Sequence, residues 1–219
     1  MIKGLKICGI SDPNTLSYII NHNNPPKFVG FITNYEKSKR FVNYDKLKQL
    51  LAINRKQINF VSVLVNPNDE ILEKIKFLNF DYYQIYDADP VRIKKIKQKY
   101  QIKIITALTI SNQADVNRYK DYLDVSDILL FDSKGYHKSE SFDHKLLDKV
   151  PSSLNKMIAG NIKIEDIPTF KNKDYIIDLS GALEDSEGKK DIKKINNLLI
   201  FLISFFPSEL SKAPLKSIM

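Results

Sequence analysis

The sequence is poor in the features that define several protein classes. It holds one cysteine among 219 residues, which excludes an internal disulfide framework and suits a reducing compartment such as the cytosol. No apolar run is long enough to span a bilayer, because the longest, 198–206, is interrupted by Ser204. The first residues lead straight into a predicted strand, without the layout of a signal peptide. These absences predict a soluble cytoplasmic protein.

Histidine is also scarce. The three histidines are His22, in a polar surface-like stretch, and His137 and His144, which we interpret as incidental. Neither they nor the acidic residues show the spacing of a metal site, so we expect no metal. No Gly-x-Gly-x-x-Gly turn follows any predicted strand, which argues against a dinucleotide-binding open sheet.

The chain carries a formal net charge of +8, from 34 Lys and Arg against 26 Asp and Glu. The lysines are spread over the predicted helices near acidic residues, and Lys94-Lys95 and Lys189-Lys190 are short pairs, not basic arms. We therefore expect the charge to attract an anionic small substrate, with neither a nucleic acid nor a membrane as partner. A non-catalytic barrel that binds a phosphorylated ligand or RNA stays as an alternative.

Short apolar segments alternate with amphipathic segments along the whole chain. The apolar segments are typical of parallel strands that are covered on both faces. The predicted strands are Leu5–Cys8, Lys27–Ile32, Asn59–Val65, Asp81–Ile85, Lys103–Leu108, Asp127–Phe131, Lys156–Ala159 and Tyr175–Leu179.

The segments between these strands carry helix start signals. Asp12, Asn66 and Asp89 each precede a proline, which predicts a capping residue followed by proline at the first helical position. The seventh helix, Ile164–Phe170, contains Pro168 and is expected to be short or kinked. Eight strand–helix units without a linker predict an α/β fold, a single (β/α)8 barrel of residues 1–206 with a tail at 207–219. An open doubly wound sheet is the alternative.

In such a barrel, chemistry takes place at the carboxyl ends of the strands. Cys8 ends the first strand and is followed by Gly9, where a ligand can approach the backbone closely. A small buried apolar role is its alternative. Asp132 ends the sixth strand, and the next helix starts only near Phe142, so a capping role explains it poorly. We expect Cys8 and Asp132 to face each other across the mouth.

Two small-residue turns follow the last two strands. Gly160-Asn161 ends the seventh strand and Ser180-Gly181-Ala182 ends the eighth. Backbone amides at these positions commonly hold a phosphate in this fold, although each turn alone could be an ordinary one. The polar loop 133–141 is a candidate lid.

These segments together resemble the phosphoribosylanthranilate isomerase family of tryptophan biosynthesis. The resemblance covers essentially the whole chain, and its most specific parts are the first and last strand motifs. The matching segments are Lys6-Ile7-Cys8-Gly9-Ile10, Val29-Gly30-Phe31, Lys37-Ser38-Lys39-Arg40-Phe41-Val42, Val63-Leu64-Val65-Asn66, Leu129-Leu130-Phe131-Asp132-Ser133, Ala159-Gly160-Asn161, Asp178-Leu179-Ser180-Gly181-Ala182-Leu183-Glu184 and Gly188-Lys189-Lys190-Asp191.

The resemblance implies an Amadori rearrangement of N-(5'-phosphoribosyl)anthranilate, an aldose–ketose isomerisation that needs no cofactor because only protons move. By similarity, Asp132 is the general acid and Cys8 the general base, and Arg40 holds the anthranilate carboxylate. Gln84 is a further expected substrate contact, and the phosphate sits on Gly160, Asn161, Ser180, Gly181 and Ala182. The protein is expected to be a monomer or a homodimer.

The chain departs from the family pattern at the ends of four strands. The seventh-strand Gly-Gly is Gly160-Asn161, and the eighth-strand Ser-Ser-Gly is Ser180-Gly181-Ala182. At the fourth strand the chain has Gln84-Ile85-Tyr86-Asp87 in place of Gln-Leu-His-Gly, and the loop after Asp132 is shorter than usual. A related barrel that acts on another phosphosugar is therefore a second enzymatic alternative.

Overall fold

The computed structural model describes residues 2–133 and 141–205. Eight parallel strands, β1 to β8, form a closed barrel in chain order, with β8 paired to β1. This confirms the predicted (β/α)8 architecture. The strands are Gly4–Cys8, Phe28–Ile32, Asn59–Val65, Tyr82–Tyr86, Lys103–Ile110, Ile128–Ser133, Lys156–Ile158 and Tyr175–Leu179.

Helices cover the outside of the barrel. The α-helices α1 to α6 are Pro13–Asn21, Tyr44–Leu51, Asp69–Ile75, Pro90–Tyr100, Gln113–Asn117 and Ile192–Phe205. Single 3₁₀ helices stand at Arg118–Tyr122, His144–Leu147, Ile164–Phe170 and Gly181–Leu183. The segment around Pro168 is thus short, as predicted, because proline lacks the N–H that continues a longer helix.

Alternate residues of each strand point to opposite sides of the barrel wall. The outward side chains pack with the helices into the larger apolar core. The inward side chains form a second, smaller cluster inside the barrel: Cys8, Phe28, Val61, Val63, Tyr86, Ile105, Ala107, Ile128, Leu130, Met157, Ala159 and Ile176. The few polar residues that share this inner face are therefore held in an apolar surrounding, which makes their charge states unusual.

Two of the three predicted helix starts are confirmed and one is wrong. The carboxylates of Asp12 and Asp89 accept backbone N–H bonds at the starts of α1 and α4. Asn66 does not cap α3. It has a positive φ of 38°, and Asn68 accepts the N–H of Ile71 instead. The short turn between β3 and α3 needs a residue that tolerates the left-handed region, and asparagine does so more readily than most residues.

Two predicted features lie outside the described residues. Residues 134–140 of the candidate lid are one, and the tail at 207–219 is the other. Asp143 accepts the N–H of Lys145 at the start of the 3₁₀ helix His144–Leu147. A different acid therefore caps this helix, and Asp132 is not needed there.

Replacing the α3 cap should test the corrected helix start. Asn68→Ala removes the acceptor for the N–H of Ile71, and we expect it to lower the free energy of unfolding by about 1 kcal/mol. Asn68→Asp keeps an acceptor and is expected to change stability by only a few tenths of a kcal/mol. Urea unfolding measures both. Equal stability of the alanine variant and the parent would show that α3 does not depend on this cap.

Candidate active site

A pocket opens at the carboxyl ends of the strands, inside the mouth of the barrel. It brings together most of the predicted site residues, from both ends of the chain. Those that line it are Cys8, Arg40, Asp132, Gly160, Asn161, Ser180, Gly181 and Ala182. The pocket thus has a thiol, a carboxyl group, a guanidinium group and two small-residue turns on one surface.

Cys8 ends β1 with its side chain 9% exposed in the pocket floor. The thiol lies over Gly30 of β2, where an added Cβ would be 2.9 Å from Cys8 Sγ and 3.2 Å from Lys6 Nζ. Only glycine leaves this space free. Burial raises the pKa of the Cys8 thiol above its ordinary value, although the ammonium group of Lys6 beside it pulls the pKa down. Among the neighbours, the Lys190 ammonium also favours the thiolate.

Beneath Cys8, a buried ion pair joins the first strand to the last. Lys6 Nζ donates to Asp178 Oδ2 over 2.6 Å, and the register of β1 and β8 sets the two residues side by side. Burial disfavours the ammonium, but the Asp178 carboxylate and Cys8 outweigh it and raise the pKa of Lys6. Among the described residues, Asp178 Oδ1 has no hydrogen-bond partner, and Asp178 lines the pocket.

Asp132 is the penultimate residue of β6, on the same rim as Cys8. Its Oδ1 accepts the N–H of Ser133 at 2.8 Å and its Oδ2 accepts the hydroxyl of Tyr86 at 2.8 Å. Burial raises the pKa of Asp132 to about 6, and the negative charge of Asp178 adds to this, while the Tyr86 hydrogen bond opposes it. A carboxyl group whose pKa is raised to about 6 holds its proton closer to neutral pH than a solvated one and can act as an acid.

Gln84 does not stand where the sequence analysis expected it. It is 1% exposed and does not line the pocket. Its Nε2 instead donates to Tyr86 Oη at 3.2 Å, one layer below the pocket surface. Direct contact between Gln84 and a substrate is therefore not supported, because Tyr86, two residues further along the same face of β4, covers it.

Arg40 is held in place by an acid from the far end of the chain. Its Nε and Nη2 donate to the two carboxylate oxygens of Glu184 at 2.5 and 2.7 Å. Lys190 Nζ, which is almost fully buried, reaches Glu184 Oε1 at 2.6 Å and the carbonyl oxygen of Ser180 at 3.0 Å. Burial opposes the charge on Glu184, but the hydrogen bond from Arg40 and the charge of Lys190 outweigh it and lower the pKa of Glu184. The guanidinium plane is thus fixed at the pocket wall.

The two predicted phosphate turns lie side by side in the pocket, as expected. Gly160 and Asn161 both adopt positive φ angles, 95° and 53°, and a Cβ on Gly160 would be 3.0 Å from the backbone nitrogen of Ser133. Gly181 and Ala182 open the 3₁₀ helix after β8, and the first amides of a helix have no acceptor within it. Both turns can therefore offer N–H groups to an anion.

Four residues that shape the site were not predicted from the sequence: Lys6, Tyr86, Asp178 and Glu184. Lys6 and Asp178 had a detectable signal, since each is a charged residue inside an otherwise apolar strand, on the inward side. Tyr86 was noted only as a departure in the fourth-strand turn. Glu184 pairs with Arg40 across 144 residues of chain, a distance that no local pattern reveals.

The histidines take no part in this pocket where they are described. His22 Nδ1 accepts the N–H of Asn24, and His144 packs between Phe142 and Phe170. Residue 137 lies outside the described residues. Within 2–133 and 141–205, no three His, Cys, Asp or Glu side chains are grouped so that they could hold a metal ion. No described helix is long and apolar enough to cross a membrane.

Comparison with known proteins identifies a family for this chain. The family model for N-(5'-phosphoribosyl)anthranilate isomerase matches residues 5–200. A relative named N-(5'-phosphoribosyl)anthranilate isomerase, from Rhizobium rhizogenes, is 30% identical over 203 residues, which cover 88% of this chain and 90% of the relative. A Brucella suis protein of the same name is 28% identical over 208 residues, covering 90% of this chain and 92% of its own.

Solved structures of the same name share the fold. Phosphoribosyl anthranilate isomerase from Thermotoga maritima superposes with a TM-score of 0.75 at 24% identity, covering 91% of this chain and 97% of its own. The Thermus thermophilus protein gives a TM-score of 0.77 at 18% identity, covering 93% of this chain and 99% of its own. At these identities the structural likeness concerns the barrel itself.

The buried ion pair offers a stability test at the base of the pocket. Lys6→Met leaves the Asp178 carboxylate buried without its cation, and we expect it to lower the free energy of unfolding by about 3–5 kcal/mol. The double variant Lys6→Met/Asp178→Leu removes both charges and should regain most of that loss. Urea unfolding of the parent, the single and the double variant gives the comparison. A double variant as unstable as the single one would show that the charges are not coupled.

Proposed function

We propose that this chain, which belongs to the N-(5'-phosphoribosyl)anthranilate isomerase family, uses Asp132 and Cys8 as acid and base in its reaction. The chain is an isomerase of tryptophan biosynthesis. Its reaction is the Amadori rearrangement of N-(5'-phosphoribosyl)anthranilate to 1-(2-carboxyphenylamino)-1-deoxyribulose 5-phosphate. The proposal concerns which residues move the protons and hold the substrate.

The first step opens the ribose ring. Asp132 gives its proton to the furanose oxygen, the bond from that oxygen to C1' breaks, and the lone pair of the anthranilate nitrogen forms a C=N bond. The product of this step is a protonated Schiff base, and Asp132 becomes a carboxylate. The hydrogen bonds from Ser133 N–H and Tyr86 Oη stabilise that carboxylate as it forms.

The second step moves a proton away from carbon. The Cys8 thiolate takes the proton of C2', and the electron pair of the C–H bond forms the C1'=C2' double bond while the nitrogen becomes neutral. The resulting enolamine tautomerises to the aminoketose. Lys6 supports this role because its ammonium group lies beside the thiol and favours the thiolate.

The assignment rests on two titratable groups, Asp132 and Cys8, that lie on one rim of the barrel and have different pKa values. Burial raises the pKa of Asp132 to about 6, so that this acid retains a proton far better than a solvated one. Cys8 lines the same pocket and has cations as neighbours. Two titratable groups on one rim, one a carboxyl group with its pKa raised toward neutrality and the other a thiol with cations beside it, can supply the acid and the base that the two steps require.

The remaining pocket residues suit the two anionic ends of the substrate. Arg40 can bind the anthranilate carboxylate with the guanidinium atoms that Glu184 does not occupy, since its planar fork suits a carboxylate. The turns at Gly160-Asn161 and Ser180-Gly181-Ala182 can take the phosphate on their amides. Only protons move, so the reaction needs no cofactor. We further propose a cytoplasmic protein that works as a monomer or a homodimer.

Turnover of N-(5'-phosphoribosyl)anthranilate, followed by the loss of its fluorescence, tests the roles directly. We expect Cys8→Ala and Asp132→Asn to lower kcat by about 10²–10⁴-fold, because each removes one proton-transfer group. Both variants should keep the fold of the parent by circular dichroism.

Asp127→Asn is the matched control for the acid. Asp127 lies at the opposite end of the sixth strand unit, where it accepts the N–H of Ile104 and pairs with Lys97. This variant should keep kcat within about twofold. Catalysis that persists within a factor of a few in Asp132→Asn or Cys8→Ala would refute the role of that residue.

The pH dependence follows from the two pKa shifts. The active form has a protonated Asp132 and a Cys8 thiolate. Below about pH 6 Asp132 is already protonated, so a further drop in pH only lowers the fraction of Cys8 thiolate. Above about pH 6 the fraction of thiolate rises with pH, but the fraction of protonated Asp132 falls to the same extent, so the two changes cancel. We therefore expect kcat/KM to decrease as the pH drops below about 6, to stay level through neutral pH, and to decrease again above the raised pKa of Cys8. The pH near 6 at which the acidic decrease begins is the acidic limit of the profile. A profile without a limit near pH 6 would contradict the assignment of Asp132.

A further inference from the structure

Tyr86 occupies an unusual place beside the acid. It ends β4, its ring belongs to the apolar cluster inside the barrel, and the residue is 8% exposed. Its hydroxyl reaches Asp132 Oδ2 at 2.8 Å, from a strand that does not pair with β6. The contact therefore spans β5 at the barrel mouth, and the strands on either side hold both of its ends in place.

Gln84 determines the direction of this hydrogen bond. Gln84 Nε2 donates to Tyr86 Oη at 3.2 Å, so the tyrosine oxygen accepts there and its own proton is left for Asp132. The N–H of Ser133 occupies the other oxygen of Asp132, at 2.8 Å. Each carboxyl oxygen thus has one fixed donor, and the orientation of the group is determined.

We propose that Tyr86 is a positioning residue for the isomerisation, which holds the Asp132 carboxyl group in the orientation for proton transfer, and that Gln84 orients the Tyr86 hydroxyl. This inference rests on the proposed role of Asp132. Gln84 does not reach the pocket, and its proposed role is to orient the Tyr86 hydroxyl. These two roles also explain how the turn Gln84-Ile85-Tyr86-Asp87, where this chain departs from the family pattern, contributes to the reaction.

The surroundings leave Tyr86 the role of donor. Burial, followed by the negative charge of Asp132, raises the pKa of Tyr86 well above its ordinary value, so it stays protonated in the range in which Asp132 titrates. The charged groups that act on Asp132 are Asp178 of β8 and Lys6 of β1, which raise and lower its pKa respectively. Cys8 of β1 is the other titratable group on this rim. None of these three side chains is altered by a substitution at Tyr86.

Tyr86→Phe removes the hydroxyl and keeps the ring. Loss of a hydrogen bond to the carboxylate should move the limit of kcat/KM near pH 6 upward by about one pH unit. The less firmly held acid should lower kcat by about 10-fold, with KM within about twofold. The carboxyl band of Asp132, assigned as the infrared difference band that Asp132→Asn loses, should titrate at the same higher pH in Tyr86→Phe. A purely structural role would lower the amplitude of the profile without moving the limit.

Tyr83→Phe is the matched control, since the same hydroxyl is removed from a neighbouring residue that faces the outer core beside Phe80 and Tyr100. It should leave the limit unmoved. If Tyr86→Phe does not fold, Gln84→Leu should move the limit upward by less than a full unit, because the Tyr86 hydroxyl is then free to rotate.

The outcomes separate the inference from the function on which it rests. An inactive parent protein would refute the proposed function, and a fully active Asp132→Asn would refute the role of the acid. An active parent, an inactive Asp132→Asn and an unmoved limit in Tyr86→Phe, or in Gln84→Leu where that variant replaces it, would overturn the inference alone.

Discussion

The buried pair of Lys6 and Asp178 is the constraint on which the site depends. The two residues are 172 positions apart, and they meet only because β8 pairs with β1 and closes the barrel. Neither charge is tolerable alone in an apolar interior. The pairing of β8 with β1 therefore brings the two charges together, and the ion pair connects these two strands to the pocket residues next to it. Cys8 stands on the same face of β1, two residues beyond Lys6, directly within reach of this pair.

The pair also explains why the two proposed proton-transfer groups differ. Lys6 favours the thiolate of Cys8 more than Asp178 opposes it, and Asp178 raises the pKa of Asp132 more than Lys6 lowers it, so the buried pair acts on each residue in the direction that its proposed role needs. Burial nevertheless raises the pKa of each of them. In the unliganded protein, only a small fraction of molecules therefore has a protonated Asp132 and a Cys8 thiolate at the same time. The cations around Cys8 increase this fraction.

Much of the fold was predictable because local sequence patterns determine where the strands and helices lie. Apolar segments spaced by capping signals gave all eight strands, and the barrel rule then placed Cys8 and Asp132 on one rim. The start of α3 was predicted two residues too early, since an Asn-Pro pair also suits a turn and two asparagines compete in that segment. Local pattern could not show Glu184 behind Arg40, because that contact depends on which side chains meet after closure.

Gln84 shows most clearly where resemblance reaches its limit. A residue carried over from a motif keeps its place in the strand, but its contacts depend on what the neighbouring position holds. With a tyrosine at 86, the ring covers Gln84, and the Tyr86 hydroxyl makes the contact with Asp132. The pKa of the proposed acid Asp132 thus depends on β4 as well as on the Lys6–Asp178 pair, whereas that of the proposed base Cys8 depends on β1 and β8. Because these supports lie on different strands, a substitution in the fourth-strand turn can alter the proton affinity of Asp132 while the Lys6–Asp178 pair beneath Cys8 stays intact.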